Sequence, residues 1–203
     1  RPIRPILPNL PILPILHILP ILPPIPFNHA KGRTMIQDRN EKTFLPNSKT
    51  CFICGEDNAA GLRTRFFVQD GLVKSIIEPQ PHHCGYANVV HGGIVAAVVD
   101  ETMGWAAARA IERMCFTAEM NIRYIKPVPA DRPMTVCADV EKASRRLVYA
   151  RGWIIDDTGE EFARATGRFM PLSAEETLVV DSYLIYRGSE ERVFEKLKDA
   201  SQD

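Results

Sequence analysis

The segment from His91 to Glu101 concentrates the residue types that can do chemistry. It reads His91-Gly92-Gly93, then an apolar run, then Asp100-Glu101. Between Ile94 and Ala108 the only charged residues are these two acids. A helix this apolar is expected to be buried. A carboxylate placed in it must be paired, hydrogen-bonded or kept for a reaction. The two glycines open a helix whose first backbone N–H groups have no intrahelical acceptor, an arrangement that suits a developing oxyanion. A carboxylate base and amide donors together fit acyl-transfer hydrolysis.

Several elements must hold this segment in place. A helix is expected from about Gly92 to about Arg113. Before it, residues 62–69 alternate as a strand, Asp70-Gly71 is a hairpin signal, and residues 72–78 return as its partner. Residues 79–86 read as a loop. After the helix, strand patterns follow at 116–125, 134–142, 147–156 and 161–170, with Asp156-Asp157-Thr158-Gly159 as a turn. A long buried helix followed by an antiparallel meander predicts an α+β fold. Residues 173–203 read as an amphipathic helical extension, broken at Gly188, that packs outside the domain or reaches a neighbour.

The chain has 203 residues, enough for one ordinary domain with extensions. Lys+Arg and Asp+Glu are equal at 25 each, so no basic field points to nucleic acid. Five cysteines cannot form a complete set of disulfides, and reduced thiols in the cytoplasm are the simpler expectation. Nine of the sixteen prolines fall between Pro2 and Pro26 in near-repeats of Pro-Ile-Leu. That spacing forbids a helix and makes a poor membrane span, so no membrane partner is expected. Residues 1–34 read as a low-complexity extension, disordered or not native, with Met35 as the expected true start. Residues 35–50 read as a loose lead-in.

Four segments across residues 51–171 carry a family resemblance. They are Cys51-Phe-Ile-Cys-Gly55 with Asn58-Ala-Ala-Gly-Leu62; Gly85-Tyr-Ala-Asn-Val-Val-His-Gly-Gly93 with Asp100-Glu101; Thr117-Ala-Glu-Met-Asn-Ile-Arg-Tyr-Ile-Lys-Pro127; and Ala163-Arg-Ala-Thr-Gly-Arg-Phe169. Together they resemble the hotdog-fold acyl-CoA thioesterases of the phenylacetate-degradation (PaaI-like) type. The resemblance implies a long central helix wrapped by an antiparallel sheet, with residues 172–203 as a C-terminal extension. It also implies an acyl-CoA substrate. Asp100 would be base or nucleophile, the Gly92 N–H would bind the thioester oxygen, and Thr117 would hold the water. Some members carry a polar side chain six residues before the histidine of His-Gly-Gly. Gly85 stands there, leaving Asn88, His83 and His82 as nearby substitutes.

Spacing adds an independent inference. Gly92 and Asp100 are eight residues apart, about 12 Å along one helix. One thioester carbonyl cannot touch both, so the pattern favours a homodimer, or a dimer of dimers, with shared active sites. Asp100 and Glu101 point about 100° apart on a helix, so one acid does the chemistry and the other is its structural neighbour. His91 is expected to be a loop residue more than a base, since no nucleophile motif offers it a triad. Gly93, Lys126, Arg145, Arg146 and Arg168 are candidates for holding substrate, the cations for the coenzyme's phosphates.

Cys51-x-x-Cys54 raises zinc, with His82, His83 and Cys84 as further ligands. Only one such pair is present and the second cluster lacks standard spacing. The pair is therefore read as a lead-in turn, with no metal and no organic cofactor expected. The alternative to catalysis is a hotdog module that binds acyl-CoA without turning it over.

Overall fold

In the computed structural model, residues 41–199 are described. The expectations for residues 1–34 and for the start at Met35 lie outside them. Strands β1 (Thr43–Phe44), β2 (Asn47–Ser48), β3 (Phe66–Gln69) and β4 (Leu72–Ile77) come first, then a short hairpin of β5 (Cys84–Tyr86) and β6 (Val89–Val90). Helix α1 (Gly92–Ile111) follows, then β7 (Cys115–Tyr124), β8 (Met134–Ala143), β9 (Val148–Ile155) and β10 (Glu161–Pro171). The chain continues through α2 (Ala174–Asp181), β11 (Leu184–Ile185) and α3 (Glu195–Asp199).

Seven strands form one antiparallel sheet in the order β1-β3-β4-β8-β9-β10-β7. The last four are therefore not a simple meander. β8, β9 and β10 are, but β7 crosses to the edge beside β10 and leaves β8 to pair with β4. That crossover closes the sheet around α1, giving the α+β hotdog architecture that the resemblance implied. β10 shows why the helix settles there. Ala163, Ala165, Gly167 and Phe169 are buried while Arg164, Thr166, Arg168 and Met170 face out, a strict period of two. Gly152 on β9 permits the closest approach, because a Cβ there would lie 2.9 Å from both Met103 Cγ and Val99 Cγ1 of the helix. The outer face is dressed with charge pairs such as the two-point Arg151–Asp139 contact at 2.6 and 2.7 Å.

α1 ends earlier than Arg113. Glu112 takes a left-handed conformation (φ 53°) and its N–H bonds the Ala108 carbonyl. Within the helix Val95, Val98, Val99, Met103 and Trp105 are buried, joining Phe66, Ile77, Met134, Ile154 and Phe169 in one core.

Two expectations are corrected. The lead-in is not loose from Thr43 onward. β1 pairs with β3, and β2 pairs with β11 from the far end of the chain. The C-terminal extension is not an external helix broken at Gly188. α2 stops at Asp181, a strand follows, and the segment puts Val193 and Phe194 into the core, Phe194 at 1% exposure. Buried Glu190 accepts from Arg65 at 2.8 Å, and Glu191 takes both oxygens to Arg109 of α1 at 3.0 and 2.9 Å. Among the described residues no helix is long and apolar enough to cross a membrane.

Candidate active site

His91 caps the helix. Its Nδ1 accepts the Gly93 N–H at 2.9 Å, and its carbonyl accepts from Ile94 and Val95. This agrees with its reading as a structural residue and fixes Nδ1 as unprotonated in this arrangement. It also occupies the Gly93 amide, which is therefore not free for a substrate. The Gly92 N–H has no protein acceptor among the described residues and lines a cleft of ≈ 510 Å³. Tyr86, Val95, Tyr124 and Lys126 line the same cleft. Gly85 lines it too, and a Cβ there would come within 3.2 Å of the His91 ring, which would have to give by a few tenths of an ångström.

Tyr124 is the contributor that sequence reasoning left without a role. Its hydroxyl donates to the Gly92 carbonyl at 2.8 Å, and its ring faces the Gly92 Cα, so it steadies the first turn of α1. Its place in the Asn-Ile-Arg-Tyr motif was the available signal.

Asp100 sits two turns further along the helix and does not line that cleft. Thr117 Oγ1 donates to Asp100 Oδ1 at 2.8 Å. β7 reaches this position through a bulge. Arg168 pairs with Glu119 and Phe169 with Thr117, so Ala118 is the extra residue. Burial pushes the Asp100 carboxyl above its ordinary range, and the Thr117 hydroxyl opposes part of that rise. A half-buried carboxylate held by one hydroxyl has the chemistry to accept a proton or attack a carbonyl.

Glu101 faces elsewhere. Its Oε1 lies 3.7 Å from Cys51 Sγ and 4.0 Å from Cys54 Sγ. Burial first, then the negative Cys51 sulfur, raises its carboxyl to about 8. Cys51 is lowered to about 5, chiefly by the hydrogen bond from Cys54 with backbone N–H donors adding to it, and Cys54 is raised by that same bond.

The other predicted contacts are dispersed. His83 is 2% exposed, its Nδ1 accepts the Gln80 N–H at 2.9 Å, and burial lowers its pKa. It is an interior histidine and does not reach the cleft. His82 is exposed and packs against the His83 ring at a tilt of 60°. Asn88 spends its side-chain amide on Asp131 at 2.9 Å and carries a left-handed backbone (φ 59°). Lys126 lines the cleft and pairs with Glu160. Arg168 pairs with Glu119 at 2.8 Å. Arg145 lines a separate cavity with Ile111, at the far end of α1 from Gly92, and Arg146 is its exposed neighbour in the β8–β9 turn. Within one chain the structure joins Thr117 to Asp100 and Tyr124 to Gly92, but it does not bring Arg145 or Arg146 to the Gly92 end.

Residues 87–163 match the family model of the thioesterase superfamily. The sheet-wrapped helix has the hotdog architecture, and over residues 87–163 the chain is similar to that superfamily. Over 105 residues the chain is 30% identical to acyl-coenzyme A thioesterase THEM4 of Mus musculus, covering 51% of this chain and 45% of that one. Over 127 residues it is 28% identical to acyl-coenzyme A thioesterase THEM5 of Homo sapiens, covering 61% and 51%. The chain thus spans about half the length of these curated relatives. Among solved structures, a thioesterase superfamily protein superposes with a TM-score of 0.55 at 25% identity, covering 58% of each chain. The E. coli PaaI protein from the phenylacetic acid degradation operon superposes at 0.51 with 14% identity, over 55% of this chain and 81% of that one, a likeness of fold.

Proposed function

We propose that this domain hydrolyses an acyl-CoA thioester to a free acid and coenzyme A. The observation that carries the reading is the Asp100–Thr117 hydrogen bond on a buried apolar helix. Asp100 activates water, or attacks the thioester carbonyl itself, and Thr117 fixes the carboxylate and the approaching water. The Gly92 N–H at the start of α1 stabilises the oxyanion. The names of the matched relatives, acyl-coenzyme A thioesterases, agree with this substrate class.

α1 runs unbroken from Gly92 to Ile111, so the separation of about 12 Å between Gly92 and Asp100 stands. One carbonyl meets both groups when they come from two chains. The active form in this reading is therefore a homodimer, or a pair of dimers, with Gly92 of one protomer facing Asp100 of the other. Strand β7 supports such pairing. It is a ten-residue strand at the sheet edge, with Phe116 and Tyr124 about half exposed. A partner would also bring its own Arg145 and Arg146 into consideration for the coenzyme's phosphates.

The test is thiol release from a panel of short, medium, long and aromatic acyl-CoAs. Turnover of at least one class supports the reading. Tight binding of acyl-CoA with no thiol release on any of them would make the domain a binding module.

A further inference from the structure

We propose that Cys51, Cys54 and Glu101 form a binding site for a thiophilic divalent cation of the zinc class. The sequence offered only half of a metal motif, and reading it as a plain turn assigned it no metal. Folding adds the third ligand from helix α1, 47 residues beyond Cys54 in the chain. The two sulfurs and a carboxylate oxygen all lie within 4.8 Å of one another. Tetrahedral zinc with sulfur at ~2.3 Å and carboxylate oxygen at ~2.0 Å sets its ligand atoms roughly 3.5–3.8 Å apart. The observed sulfur-to-oxygen distances of 3.7 and 4.0 Å lie within about half an ångström of that range, so small side-chain shifts reach it.

The turn itself is built to present thiolates. The Ile53 N–H points at Cys51 Sγ at 3.3 Å and the Ser48 N–H at Cys54 Sγ at 3.4 Å. Backbone donors aimed at sulfur favour the charged form that a metal requires. Gly55 completes the turn. Its N–H bonds the Cys51 carbonyl at 2.9 Å, and a Cβ there would sit 2.3 Å from that same oxygen. No other residue fits without moving the turn. A disulfide would account for the two cysteines but not for a carboxylate aimed at both. A cation accounts for all three, and it offsets the cost of holding two sulfurs and a carboxylate together away from water.

Three protein ligands leave one of four positions for a small donor such as water. Glu101 directly follows Asp100, so the metal would clamp the segment around residue 51 to the turn of α1 that carries the candidate base. It is a structural pin beside the reaction site, independent of which reaction occurs there.

The test uses the full chain, stripped with chelator and kept under a non-thiol reductant, titrated with Co²⁺ and separately with Zn²⁺. The expected result is one equivalent bound, with a thiolate-to-cobalt charge-transfer absorption that Zn²⁺ displaces. Cys54→Ser should abolish that absorption. Glu101→Gln, which keeps both sulfurs, should weaken Zn²⁺ binding at least about tenfold. Cys115→Ser, outside the ligand set, should retain the full signal. Folding of each variant is checked by circular dichroism, and if Cys54→Ser does not fold, the wild-type and Glu101→Gln titrations decide. Absence of the charge-transfer band in the folded, reduced wild type would overturn the site. So would unchanged Zn²⁺ affinity in folded Glu101→Gln.

Discussion

Thr117 reaches across from the edge strand to Asp100, its hydroxyl 2.8 Å from the carboxylate. This bond makes Asp100 directional, because it fixes one oxygen and leaves the other for a proton or a carbonyl carbon. Thr117→Ala removes this fixing but leaves the proposed base. It should lower kcat for acyl-CoA hydrolysis by about tenfold, less than a general base contributes. Steady-state kinetics on the best substrate of the panel check it.

The shared-site reading makes a prediction about mixed assemblies. Gly92→Pro deletes the N–H that is proposed to bind the oxyanion. It is mild for the fold, since proline is tolerated at the first helical position and His91 (ψ 132°) already has the extended backbone that precedes a proline. Homodimers of Gly92→Pro and of Asp100→Asn should each be nearly inactive. A mixed dimer keeps one site with both groups intact and one with neither. Co-expression with two affinity tags should therefore restore activity to the doubly tagged fraction.

The C-terminal segment is predicted to be part of the fold. Phe194 is buried at 1% exposure among core residues. Phe194→Ala should cost about 3–5 kcal/mol, the usual range for truncating a buried phenylalanine. Chemical denaturation followed by fluorescence measures this. A loss under about 1 kcal/mol would mean that the segment sits loosely on the domain.

The sequence made the main elements legible where periodicity was strong. α1 and β8 to β10 stand within about two residues of their expected bounds, because an apolar run and alternating strands carry their burial in their pattern. β2 and β11 were invisible. Two-residue strands have no period, and their pairing joins positions 47–48 to 184–185. The crossing of β7 beside β10 was also hidden, since alternation fixes a strand's faces but not its neighbours. At the site, motif resemblance singled out Asp100 and Thr117 for the roles proposed above, and the structure adds the bond between them. Glu101 was read as a structural neighbour of Asp100. Its meeting with Cys51 and Cys54 depends on how the lead-in folds against α1, which no local pattern encodes. His83 was misjudged as a substrate contact because a histidine beside a glycine loop looks the same in sequence whether it is interior or exposed.

The central claim is that Asp100 performs the chemistry. The most direct measurement is kcat for hydrolysis of a saturating acyl-CoA by Asp100→Asn, which keeps the side chain's size and its bond to Thr117 but removes its basicity. The account predicts a fall of at least about a hundredfold, with KM changed little and the melting temperature retained. A folded Asp100→Asn protein whose kcat stays within a few-fold of wild type would contradict it.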